Sequence, residues 1–280
     1  MYRVFGIIGD PVSHSLSPVM HNEAFRSLGF KAVYGAFWVR REELSQAVEA
    51  LKVLKIQGLS VTIPHKEEIM KYLHEVDEVS RAIGAVNTIL NKENTLLGLN
   101  TDWIGVKRAF EERNISLKGK RVAILGAGGA SRAVIYALKR EGASDIILYN
   151  RTWDKAKELA DRFEIDAQPW ESLNRAYGDI IIQTTSVGLK SKETPVDEKV
   201  LRNFEIAMDI VYLPLKTMFI YLAERMGLTT IDGLRMLLHQ GVEQFKLFTG
   251  YDAPFKIMEK VIYEEAKKLE REFYLGHKDS

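Results

Sequence analysis

The chain has 280 residues, more than one hydrophobic core comfortably fills, so two domains are expected. Lys plus Arg number 39 against 38 Asp plus Glu, which excludes a bulk field for nucleic acid or an anionic membrane surface. Cysteine is absent, so disulfides, thiolate metal sites and cysteine nucleophiles are excluded. The six histidines include no i, i+4 pair and no HExxH, so no metal site is expected. No apolar run approaches the length of a membrane span and the N-terminus lacks a signal-peptide layout, so a soluble cytoplasmic protein is expected.

VFGII (Val4–Ile8) predicts a buried strand ending at Gly9-Asp10-Pro11. SHSLSP follows, Ser13 to Pro18, with three hydroxyls and an imidazole in five residues. It reads equally as a nucleophile beside a base, a helix cap or a polar-ligand site; Ser17 is expected at the N-cap and Pro18 at the first helical position. Ala32–Val39 predicts a second strand, Glu42–Leu54 an amphipathic helix, and GLSVTI (Gly58–Ile63) a third strand stopped by Pro64. AVNTIL and TLLGLN, either side of a polar turn, predict a hairpin. The alternation implies an open sheet whose ligand lies beyond the strand ends.

A more regular β-α series starts near residue 120: RVAIL, a helix to Gly142, DIILYN (Asp145–Asn150), the helical WDKAKELADRF, then strands within Asp179–Gly188, Glu205–Tyr212 and Thr229–Asp232. From Leu234 onward the pattern predicts helix throughout. Hinges are expected near Asn100–Gly105 and Asp232–Leu234.

Strand, GAGGAS, helix is the arrangement that holds a dinucleotide pyrophosphate on backbone N–H groups. Gly126, Ala127, Gly128, Gly129 and Ala130 form the expected loop, although the third fingerprint position is Ser131. Enzymes that take NAD place an acid near the end of the next strand, whereas this chain has Asn150, Arg151, Thr152 and then Lys155. A basic cluster there suits a ribose 2′-phosphate, so NADP is the expected cofactor. Hydride chemistry needs a proton donor. Lys66 in SVTIPHK, carried past a strand end, is the candidate, with Asp102 of NTD as its acidic partner.

GDPVSHSLSPVMHN, GLSVTIPHK, GAVNTI, GLNTDWIG, GAGGASRA, NRT, DIVYLP and DGLRMLLHQGVEQF, in this order over residues 9–245, resemble the shikimate dehydrogenases. The resemblance implies reversible NADPH-dependent reduction of 3-dehydroshikimate to shikimate in aromatic amino-acid precursor synthesis, with Lys66 and Asp102 catalytic. It implies Ser15 and Ser17 on the substrate carboxylate, and Thr62, Asn87, Tyr212 and Gln240 as further substrate ligands. Ile210 and Gly233 fall at the nicotinamide edge. Gln183 and Leu189 depart from the family's asparagine and methionine there. Gln244, one turn after Gln240, reads as helix surface, His21 as helix surface or packing, and His14 and His65 as supporting or partly exposed residues. On an extended segment Ser15 and Ser17 would point to one side and suit one carboxylate.

The expected fold is α/β in two domains: a substrate-binding open sheet (residues 1–101 plus 234–280) and a Rossmann NADP-binding domain (102–233), with a cleft between them. The expected partner is a small molecule, not nucleic acid or membrane, and a homodimer is left open. Two other readings stand beside it: a quinate/shikimate dehydrogenase using NAD or both cofactors, and a non-catalytic NADPH-binding sensor.

Overall fold

The structure, a computed structural model, describes residues 2–276. The chain divides into two compact units, one built from the residues up to Ile104 with Leu238–Glu265, the other from Gly105–Leu237 with the stretch from Ala266 on. In chain order the first half contains β1 (Arg3–Gly9), α1 (Ser17–Ser27), β2 (Ala32–Trp38), α2 (Leu44–Val53), β3 (Gly58–Val61), β4 (Glu75–Val76), α3 (Glu78–Ile83), β5 (Thr88–Lys92), β6 (Thr95–Leu99) and α4 (Asp102–Glu112). There follow β7 (Arg121–Leu125), α5 (Gly129–Arg140), β8 (Asp145–Asn150), α6 (Trp153–Phe163), β9 (Asp166–Pro169), β10 (Ile180–Gln183), α7 (Glu198–Leu201), β11 (Ile206–Asp209), α8 (Met218–Arg225), β12 (Thr229–Ile231), α9 (Gly233–Thr249) and α10 (Phe255–Gly276).

Among the described residues the first unit carries a six-stranded sheet in the order β2-β1-β3-β5-β6-β4. β1 pairs in parallel with β2 and β3, while the β5–β6 hairpin enters antiparallel to β3, so the open sheet is mixed. One apolar cluster joins Ile8, Leu59, Val61, Ile89 and Leu96 of the strands to Leu44, Val48 and Leu51 of α2. A second, aromatic cluster gathers Phe5, Phe25, Phe245 and Phe248 around His21, whose ring stacks on Tyr34 at 4.5 Å and 7°. His21 is thus a packing residue, fully buried. Burial lowers its pKa to about 3, because charging the imidazole would require desolvating an ion.

The second unit has a six-stranded sheet in the order β12-β11-β10-β7-β8-β9. All its pairs are parallel, and read from the other end this is the 3-2-1-4-5-6 order of the doubly wound fold. β10 and β11 are buried along their whole length, as expected for strands covered on both faces.

One local expectation is corrected. The helix after SHSLSP starts at Ser17, with Leu16 at the N-cap and no side-chain cap, because Ser15 N–H closes a turn onto the Val12 carbonyl and Leu16 is already in the right-handed region. Ser15 and Ser17 therefore do not lie on an extended segment. The C-terminal stretch is helical and divides in two, Gly250 (φ 79°) ending α9 and α10 beginning just past Pro254. Within Asp179–Gly188, β10 ends at Gln183, whose side chain ties down the following loop by accepting from Thr185 N–H and donating to the Val187 carbonyl. No helix among the described residues is long and apolar enough to cross a membrane.

Candidate active site

The first unit assembles its polar residues at the ends of β3 and of the β5–β6 hairpin. Pro64 stops β3, and His65 N–H closes a turn onto the Thr62 carbonyl. The His65 ring is fully buried, which agrees with the supporting one of its two expected readings, and Nε2 donates to the Val39 carbonyl at 2.6 Å. That anchor, with Val86 N–H on the Lys66 carbonyl at 2.7 Å, presents Lys66. The hairpin register sets Thr88 opposite Leu99, so Asn87 and the Asn100-Thr101-Asp102 segment meet where the strands end. Asn100 Oδ1 accepts from Asp102 N–H at 2.9 Å and its Nδ2 donates to the Ala85 carbonyl, fixing the start of α4.

At that point Lys66 Nζ donates to Asp102 Oδ2 at 2.5 Å, with the two side chains 13% and 5% exposed. Asn87 Nδ2 donates to Asp102 Oδ1 at 2.8 Å and to Thr101 Oγ1 at 2.9 Å, and Gln240 Oε1 lies 3.3 Å from the same nitrogen. Lys66, Asp102, Asn87 and Gln240 are thereby in one hydrogen-bonded group. Such a pair, held in place by its hydrogen-bonded neighbours, is suited to passing a proton to an oxygen set between its members.

The other sequence-selected residues are less directly joined. Ser17 is buried, and the Tyr34 hydroxyl of the same unit donates to Ser60 Oγ at 2.6 Å. Ser15 is half-buried and accepts from Ser17 N–H. Thr62 follows β3, half-buried, its N–H on the Ile8 carbonyl. Tyr212 belongs to the other unit, where burial pushes its phenol up to about 12. Two residues of the group went unselected in the sequence. Thr101 is buried within the NTD motif, and Gln244, expected on the helix surface, is 1% exposed. The signal for Gln244 was its place one turn after Gln240 on the same face of α9.

In the second unit, β7 leads into Gly126 at φ 109°, a conformation open to glycine. A Cβ there would lie 2.9 Å from Thr184 Oγ1 and from Thr185 Cγ2, whereas one on Gly128 would meet nothing within 4 Å. Gly128 is the N-cap of α5 and has no side chain to cap it. The turn therefore leaves a concave space against helix-start N–H groups, which fits a pyrophosphate. Ser131 replaces the third glycine without loss of packing: it is fully buried, accepts from Gly128 N–H at 3.1 Å and bonds Thr184 Oγ1 at 2.7 Å. After β8, Asn150 Nδ2 donates to the Thr152 carbonyl at 2.8 Å, and Arg151, Thr152 and Lys155 are exposed. Neither cation enters an ion pair among the described residues, leaving both for an anion. Gly233 packs so close to β11's end that a Cβ would lie 2.6 Å from the carbonyl oxygens of Ile210 and Val211. The Asp209 carboxyl, fully buried, accepts from Val211 N–H and Thr217 Oγ1, and burial raises its pKa to about 7.

These features define the class: an α/β protein whose second unit has the doubly wound topology and glycine turn of dinucleotide-binding domains, and whose first unit holds a buried lysine–aspartate pair. Residues 7–89 match the family described as "Shikimate dehydrogenase substrate binding domain", residues 106–205 "Shikimate / quinate 5-dehydrogenase", and residues 233–263 "Shikimate 5'-dehydrogenase C-terminal domain". The chain is 49% identical over 253 residues to "Shikimate dehydrogenase (NADP(+))" of Thermococcus kodakarensis, covering 89% of this chain and 92% of that one. The protein of the same name from Pyrococcus abyssi is 45% identical, over 95% of this chain and 99% of its own. The solved shikimate 5-dehydrogenase of Thermus thermophilus, in complex with NADP(H) and shikimate, superposes with a TM-score of 0.86 at 36% identity, covering 95% of this chain and 99% of that one. The chain belongs to the shikimate dehydrogenase family.

Proposed function

We propose that this chain is an NADP-dependent oxidoreductase that reversibly reduces 3-dehydroshikimate to shikimate in the cytoplasm, on the route to chorismate and the aromatic amino acids. The observation that carries the reading is the buried Lys66–Asp102 pair, 2.5 Å apart, with Asn87 on the second carboxylate oxygen. NADPH, when bound, supplies the hydride for the C3 ketone. Lys66, as ammonium, donates a proton to the C3 oxygen as negative charge develops there, and recovers it in the oxidative direction. Asp102 pairs with that ammonium and accepts a hydrogen bond from the same hydroxyl, so the donor and its target stay aligned. Asn87 and Gln240 offer amides to ring hydroxyls, with Thr62 and Tyr212 as further ligands. Ser15 and Ser17 offer neutral donors to the carboxylate and need not ionise.

In the second unit the turn from Gly126 to Ala130 and the start of α5 hold the pyrophosphate, and Asn150, Arg151, Thr152 and Lys155 take the 2′-phosphate. Ile210 and Gly233 line the nicotinamide side. An assay of NADPH and NADH oxidation with 3-dehydroshikimate, and of the reverse reaction with shikimate and with quinate, tests this. Turnover is expected with 3-dehydroshikimate and NADPH. No oxidation above the background without substrate, or a preference for quinate or NADH, would refute it.

A further inference from the structure

We infer that Gln244 is a positioning residue for the Lys66–Asp102 pair, acting through Thr88 and Asn87; the inference rests on that pair as the proton-transfer group. Gln244 Nε2 uses both its hydrogens, donating to the Asn87 carbonyl at 3.0 Å and to Thr88 Oγ1 at 2.8 Å. A carbonyl only accepts, so the Gln244 amide has one orientation and its Oε1 must accept, which it does from Ser60 Oγ at 2.8 Å. Ser60 Oγ in turn accepts from the Tyr34 hydroxyl at 2.6 Å.

The same logic runs on toward the pair. Thr88 Oγ1, already accepting from Gln244, has its own hydrogen for Asn87 Oδ1 at 2.7 Å. Asn87 Oδ1 also accepts from Thr101 N–H at 2.8 Å. One donor settles which atom of the amide faces it, while two donors from different directions fix the plane of the amide. Nδ2 is thereby aimed at Asp102 Oδ1 at 2.8 Å, and Asp102 Oδ2 receives Lys66. Thr88 and Asn87 are buried, so no solvent competes for these bonds and a lost member leaves a buried polar atom unmatched.

The test compares Thr88→Val, Thr88→Ser, Gln244→Met and the Thr88→Val/Gln244→Met double variant by kcat, KM and melting temperature. Thr88→Val keeps the shape and the Gln244 bond to the Asn87 carbonyl but cuts the route to Asn87 Oδ1. It is expected to lower kcat about tenfold, the scale of a small misplacement, with KM for NADPH unchanged. Thr88→Ser restores the hydroxyl and should return kcat to within about twofold of wild type. Gln244→Met should lower kcat likewise, and the double variant should be no worse than the lower single one, because both cut one route. If Gln244→Met does not fold, the Thr88→Val and Thr88→Ser pair decides alone. Wild-type kcat in Thr88→Val, a Thr88→Ser enzyme no better than Thr88→Val, or multiplying losses in the double variant would overturn the inference. A wild-type enzyme that does not reduce 3-dehydroshikimate overturns the function as well, whereas an active wild type with any of those results overturns the positioning role alone.

Discussion

Lys66 and Arg151 carry opposite kinds of consequence. Lys66 sits in a part-buried group where its ammonium faces a carboxylate, so removing it would remove the proposed proton donor. Lys66→Ala should lower kcat by about 10²- to 10⁴-fold with little change in KM, measured by steady-state reduction of 3-dehydroshikimate. A loss below tenfold would place the donor elsewhere. Arg151 is exposed and forms no ion pair among the described residues, so its removal should leave the fold and the chemistry alone and act on the proposed site of the cofactor phosphate. Arg151→Ala should reduce kcat/KM for NADPH by about 10- to 100-fold, the worth of a charge-assisted bond, and leave kcat/KM for NADH unchanged. Equal losses with both cofactors would remove Arg151 from the 2′-phosphate site.

The turn between β7 and α5 holds one glycine that the backbone requires and one, Gly128, that it does not. At Gly126 a side chain would have to adopt φ 109° and press on Thr184 and Thr185. At Gly128 the backbone, φ −99°, suits any residue and the space around it is open. Gly126→Ala should therefore destabilise the second unit by about 1–3 kcal/mol, seen as a lower melting temperature. Gly128→Ala should melt as wild type does and instead raise KM for NADPH, because its methyl group occupies the space offered to the pyrophosphate. Matching melting temperatures in the two variants would contradict this division. The hairpin shows the same economy at element level: its register alone brings Asn87 to Thr101 and Asp102, although fourteen and fifteen residues separate them.

Across the molecule, two buried groups give the units opposed responses to acid. His21 in the first unit has its pKa lowered from 6.5 to about 3, so the unfolded chain binds a proton there that the folded one refuses. Its contribution to stability is present above about pH 6.5 and falls by up to about 1.4 kcal/mol per unit as pH drops toward 3. Asp209 in the second unit has its pKa raised from 3.8 to about 7, so its folded form holds a proton the unfolded chain releases. That contribution is present below about pH 4 and is lost as pH rises through 7. Between pH 6.5 and 4.5, His21→Phe should flatten the acid loss of stability in denaturant unfolding, whereas Asp209→Asn should steepen the net loss; unchanged slopes in both would refute the assignment. Much of this architecture was legible early. Regular βα spacing, GAGGAS and NRT marked the doubly wound unit, because strand length, glycine turns and helix starts depend on neighbours a few residues apart. SVTIPHK and NTD placed Lys66 and Asp102 at chain turns by the same local logic. Gln244 was not legible, nor was the true start of α1. Helical spacing is the same whether a glutamine meets water or a partner, and Ser60 lies 184 residues from Gln244 in the chain. The order of elements and the chemical groups at their ends follow from residues close together in the chain. Which of those groups share hydrogen bonds follows from folding alone, because each bond's direction is set by atoms brought together from distant segments.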